Sequence, residues 1–209
     1  MDIEGPRKPI ECLRDFSLHL LTITIGIVIA LTLEGVVQHH HERALVHEAV
    51  RSLDAEIATN RTRVAKHRNE LTKLVDELTR LQGQVKSRRA GASWSNTNIE
   101  IHPPITLLSG AAWEAASATQ ALSLMGLEET QRYAPVYAIQ RAFLTYQDRS
   151  LDLWLDALSA ASDEKFTSSA ELADADHKLE SALLRSKAFI ALDDEMIALI
   201  HETSVRVPK

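Results

Sequence analysis

From Phe16 to Leu33 the chain reads FSLHLLTITIGIVIALTL, 18 residues without a formal charge, and apolar residues resume at Val36 and Val37 after Glu34 and Gly35. Eighteen helical residues rise about 27 Å, close to the hydrocarbon thickness of a bilayer. The pattern predicts a transmembrane helix over residues 16–37. A cleaved signal peptide carries an apolar region of about 7–15 residues followed by a small-x-small site. Here the run is longer and continues into Glu-Gly-Val-Val-Gln-His-His-His, so an uncleaved signal anchor is expected. The pattern then changes. Val46, Val50, Leu53, Ile57, Asn60, Val64, His67, Leu71, Leu74, Leu78, Leu81 and Val85 alternate steps of four and three, and all but Asn60 and His67 are apolar. Such heptad spacing predicts a coiled-coil-like stalk helix over residues 38–90, within the chain or between chains. No Gly or Pro interrupts residues 36–82, so one helix is expected from the bilayer to about Ser87.

Gly83, Gly91, the polar residues around Trp94, and Pro103-Pro104 break this pattern and predict a loop over 91–106. A helix from Thr106 to Met125 should follow, closed by Gly126 as its C-cap. The next is expected from Leu127 to Ser159, with Glu128 and Glu129 in its first turn and a kink at Pro135. Its stripe is Tyr133, Val136, Tyr137, Phe143, Leu144, Leu151, Trp154, Leu155 and Leu158. Ser162 with Asp163, or the serines near 168, should cap a last helix to about Thr203, whose apolar residues are Leu172, Leu179, Leu183, Ile190, Met196, Ile197 and Ile200. The predicted fold class is all-α. An N-terminal transmembrane helix continues into the stalk and packs with three further helices as an antiparallel bundle. The predicted organisation is a short tail over 1–15, the membrane helix over 16–37, the stalk over 38–90, the loop, and a distal helical bundle over 107–205.

Composition narrows the class. Of 209 residues one is cysteine, which excludes a disulfide scaffold, and 5% aromatic with 7 glycines argues against a glycine-turned β barrel. The formal charge of −6 is segregated: residues 38–90 hold 11 Lys and Arg against 7 acids, while residues 91–209 hold 9 against 17. A basic stalk facing an acidic distal region points to internal matching, and no nucleic-acid partner is expected. Before the apolar run stand Arg7, Lys8 and Arg14; soon after it come Arg43 and Arg51. This bias places the tail in the cytoplasm and the bulk of the chain outside it, on the cell (inner) membrane.

Candidate chemistry is sparse. His19, Thr22, Gly26, Ala30 and Glu34 share one face of the membrane helix, and Gly26-x-x-x-Ala30 is the spacing that lets helix backbones approach in lipid. This face is a candidate contact surface for a second copy. Asn60 and His67 are candidate register residues in the stalk seam, and His67 also has the chemistry of a pH switch. Tyr133, Tyr137 and Trp154 are a candidate pocket between bundle helices. His39, His40, His41 and His47 lie beside the membrane, but consecutive helical histidines diverge by about 100° and no His-Glu-x-x-His helix occurs, so no metal site is assigned. Cys12, juxtamembrane, is read as a plain thiol or a palmitoylation site. Asp193-Asp194-Glu195 reads as solvated helix surface. Phosphate-binding, dinucleotide-binding and nucleophile-elbow motifs do not occur, so neither an enzyme nor a cofactor is expected.

Ile25-Gly26-Ile27-Val28-Ile29-Ala30-Leu31, followed by Glu42-Arg43 and a helical stalk, resembles the N-terminal region of uncharacterised bacterial single-pass membrane proteins with an Ile-Gly-Ile-x-Ile-Ala-Leu membrane helix. It departs at Thr32-Leu33-Glu34-Gly35, where relatives often carry Asn and Trp. The resemblance implies a bacterial membrane location. Together these readings predict a membrane-anchored interaction or scaffold module that binds the lipid bilayer, forms a homo-oligomer through stalk or membrane helix, and meets a further protein partner. The alternative is a sensory or ligand-binding bundle that signals through the membrane helix.

Overall fold

A computed structural model describes residues 13–93, 102–162 and 168–205. Cys12, the tail before Leu13, Trp94 and Asp163 lie outside the described residues, as do the expectations attached to them. The elements are α1 (Leu13–Arg89), α2 (Ala111–Ala118), α3 (Ala121–Leu124), α4 (Leu127–Ser162) and α5 (Ser169–Val205). The chain is all-α, with no strand among the described residues. It divides into two compact units, Met1–Glu48 and Ala49–Lys209, and α1 contributes to both.

In the first unit α1 is long and apolar enough to cross a membrane, and every side chain from Phe16 to His41 is exposed. Its threonine hydroxyls find partners within the helix. Thr22 and Thr24 donate to the carbonyls of Leu18 and Leu20 at 2.8 Å, and Thr32 donates to Ile29 at 2.8 Å.

In the second unit three helices each bury a stripe with alternating three- and four-residue steps. On α1 these are Leu53, Ile57, Asn60, Val64, His67, Leu71, Leu74, Leu78, Leu81 and Val85, the positions that the heptad reading placed in the seam. On α4 they run from Tyr133 and Val136 through Gln140, Phe143, Gln147, Ser150 and Trp154 to Ala157 and Ala161. On α5 they run from Leu172 through Leu179, Ser186, Phe189 and Asp193 to Ile200 and Thr203. The seam of α1 is therefore filled by its own chain. Leu155, expected in the α4 stripe, is instead half exposed, because the 3–4 spacing passes through Trp154 and Ala157.

Cross-helix bonds give the directions. His67 and Asp193, and Arg89 and Asp176, pair α1 antiparallel to α5. Arg132 on α4 donates to the Thr203 carbonyl on α5 at 2.9 Å and Trp154 donates to Ser186 at 2.9 Å, so these two are antiparallel as well. Tyr133 bonds Asp54 and Gln140 bonds Asn60, so α4 runs parallel to α1. A parallel pair requires the chain to return between them, and residues 102–110 do so without helix. The helix expected from Thr106 accordingly begins only at Ala111 and splits into α2 and α3, with Gln120 left-handed at φ 61° between them. Gly126 opens α4 rather than closing a preceding helix, its carbonyl accepting from Thr130 N–H at 3.0 Å.

Local chemistry sets the other ends. Gly91, at φ +93°, ends α1: its N–H reaches the Arg88 carbonyl and the Ala92 N–H reaches that of Ser87, the double bond of a Schellman motif that a left-handed glycine permits. Ser168 and Glu171 form a capping box at the start of α5. The Ser168 hydroxyl accepts from Glu171 N–H at 3.2 Å and the Glu171 carboxylate from Ser168 N–H at 3.1 Å.

Candidate functional site: an exposed helix face and a polar seam

His19, Thr22, Gly26, Ala30 and Glu34 all lie on the exposed surface of α1 in the first unit. A Cβ added at Gly26 would meet nothing within 4 Å. Among the described residues, nothing fills the space beside Gly26. Among the described residues no cluster of His, Cys, Asp or Glu could hold a metal ion, so the histidines at 39–41 and 47 do not converge.

Six of the buried polar side chains of the second unit, Asn60, Thr106, Gln140, Gln147, His67 and Asp193, fall into two groups. The first holds residues 102–110, a strap whose backbone groups need partners because no helix supplies them. Thr106 N–H donates to Gln147 at 2.7 Å, and Arg63 donates to the Leu107 carbonyl at 2.9 Å. Asn60 grips Ser109 from both sides, its amide donating to the carbonyl at 2.7 Å and its oxygen accepting from the N–H at 3.1 Å. Gln140 donates to the same carbonyl at 2.8 Å. One step along, Glu56 accepts from Ser109 Oγ, from Ala112 N–H at 3.1 Å and from the Tyr137 hydroxyl at 2.8 Å. That carboxylate thereby serves a first-turn N–H of α2, whose Gly110 N-cap has no side chain to do so. Asn60 thus ties the strap to α1.

The second group is His67 with Asp193. Their side chains are fully buried, with Nδ1 of His67 2.9 Å from Oδ2 of Asp193. The imidazole lies 5.0 Å from the Phe143 ring and 4.7 Å from the Phe189 ring, and those two rings meet each other at 4.9 Å. Burial pushes the Asp193 carboxyl above its ordinary range, and the hydrogen bond from His67 only partly opposes this. Asp193 is therefore not the solvated surface expected of the Asp193-Asp194-Glu195 run. Asp194 and Glu195 are exposed. The signal was positional: three- and four-residue steps from Leu172 land on Asp193.

Tyr133, Tyr137 and Trp154 are core side chains whose polar atoms have partners in the chain: Asp54, Glu56 and Ser186, each within 2.9 Å. Burial first, then the neighbouring carboxylates, push both phenols above the usual tyrosine range, so they stay protonated donors. Trp113 stacks on Tyr137 at 5.0 Å. A small open cleft lies elsewhere, lined by Gln131, Arg132, Pro135, Leu199, Glu202 and Thr203. The Arg132 guanidinium is already bonded there to Thr203 and Glu129. No protein-family model, no curated protein and no solved structure matches the chain.

Proposed function

We propose that the chain is a single-pass, membrane-anchored helical scaffold whose copies associate through the membrane helix, with the tail in the cytoplasm and the bundle outside it. One contrast carries the reading. The apolar stripes of the second unit are buried against one another, whereas the Gly26-Ala30 face of α1 is exposed among the described residues. The stalk, offered as an alternative route to the oligomer, has its seam occupied by α4 and α5. Close backbone approach at a small-xxx-small face is an effective mode of association where lipid removes the ordinary hydrophobic drive. The sensory alternative draws no support from Tyr133, Tyr137 and Trp154, since each polar atom there is engaged internally.

Cross-linking of the full chain in native membranes at normal abundance tests this. We expect a trapped oligomer that is lost in the Gly26→Ile/Ala30→Ile variant, while the variant remains membrane-bound and folded. A strictly monomeric wild type, or an oligomer indifferent to the two substitutions, overturns the membrane-helix interface. Protease accessibility of tags at the two termini fixes the orientation.

A further inference from the structure

The His67–Asp193 pair joins α1 to α5 in the middle of the core. Its other two polar atoms, Nε2 of His67 and Oδ1 of Asp193, are buried without a hydrogen-bond partner among the described residues. The surroundings are apolar on the α4 side, where Phe143 meets the imidazole; Tyr146 of α4 reaches Phe189 at 4.9 Å with the Arg185 guanidinium over its ring. The nearest charges are Arg68 on α1 and Asp194 on α5, and these are bonded to each other at the surface. They therefore leave little net field on the pair.

Charge counting decides what such a site can hold. With one shared proton the pair is neutral, either as imidazolium and carboxylate or as imidazole and carboxylic acid. Without that proton the core holds an uncompensated negative charge, and with a second it holds a positive one. Either is costly in a place where water cannot reach. We propose that His67 and Asp193 form a single-proton latch that fastens α5 to α1, closed while the pair holds one proton and weakened when that proton is withdrawn. The raised Asp193 carboxyl agrees with this, because burial favours the protonated pair. Since the two groups are coupled, the proton belongs to the pair and not to either residue.

The pH dependence has a definite sign. In the unfolded chain the imidazole releases its proton near pH 6.5 and the carboxyl near pH 3.9. Between about pH 4 and 6.5 the folded and unfolded pair both hold one proton, and stability is level. Above about 6.5 the unfolded chain has lost a proton that the folded pair retains, so the folding constant falls tenfold per pH unit until the folded pair also releases it. Below about 4 the unfolded chain binds a second proton and stability falls again.

Reversible denaturation of the full chain in detergent micelles, from pH 5 to 9, tests the latch. The wild type should lose folding constant roughly tenfold over at least one pH unit above neutrality. His67→Leu/Asp193→Leu, which removes both groups, should not show this component; every other ionisable group is common to both proteins. Asp193→Asn keeps an acceptor for Nδ1–H but needs no proton to be neutral. Its dependence should therefore reverse, with stability falling as pH drops through about 6.5. That reversal keeps the test decisive should the double variant fail to fold. A wild type level from pH 6.5 to 9, or an Asp193→Asn variant with the wild-type slope, overturns the proposal.

Discussion

The stretches of α1 before and after Ala49 are one helix with two hydrophobic patterns, and the polar side chains set among the apolar positions behave oppositely. Before it, residues 16–33 carry no formal charge on any side, and Thr22 and Thr24 bond to carbonyls on their own preceding turn. After it, apolar residues form one stripe, and Asn60 and His67 bond to residues 49 and 126 positions away. A polar group satisfied within its own turn leaves a helix complete in a solvent that offers no hydrogen bonds. One whose partner is remote makes the helix depend on the rest of the fold. The difference separates a segment suited to lipid from one that specifies a tertiary arrangement, although both are rich in Leu, Ile and Val.

The sharpest way to break this comparison is a matched pair of truncations. Leu71→Ala removes a fully buried side chain from the seam and should destabilise the second unit by about 2–5 kcal/mol, the range for deleting a buried leucine. Ile23→Ala removes a side chain that is 59% exposed in the same helix and should leave the denaturation midpoint unchanged. Equal losses would mean that the first segment is packed against something in the folded chain. Denaturant titration of the full-length protein in micelles, followed by tryptophan fluorescence, reads both.

A smaller effect separates seam residues that pack from those that hold the strap. Asn60→Leu matches the volume and apolar character of its neighbours, yet it removes both bonds to Ser109. The Ser109 N–H loses its partner, and the expected cost is about 1–3 kcal/mol. The loss should be local: residues 102–110 become a site of limited proteolysis while the helical signal of α1, α4 and α5 persists. A resistant strap would show that Gln140, Gln147, Arg63 and Glu56 hold it without Asn60.

These two experiments also mark what the amino-acid pattern could reveal. The apolar span and the α1 seam were legible because most of their positions are apolar and the spacing does not slip. On α4 and α5 the same spacing passes through Gln140, Gln147, Ser150, Ser186, Asp193 and Thr203. A reading led by hydrophobicity slides off those positions, towards Leu155 on α4, and mistakes Asp193 for surface. The strap was hidden for another reason. Its non-helical backbone is held by side chains 31 to 53 residues away, such as Gln140 and Glu56, and no local propensity encodes that. The parallel course of α1 and α4 follows from the strap and was hidden with it.

The smallest effect belongs to a purely local device, the box that starts α5. Ser168→Ala removes the acceptor for the Glu171 N–H while touching no residue of the core. Such caps contribute about 1 kcal/mol, well below the seam leucine and within reach of the strap substitution. The mode of loss tells them apart. Hydrogen exchange should quicken over the first turn of α5, near Leu172, and remain slow at Phe189 and Asp193, where packing against α1 and α4 sets the opening energy. Faster exchange along the whole of α5 would mean that the helix is held mainly by its own start, and that the contrast between self-sufficient and fold-dependent helices runs through α5 as well as α1.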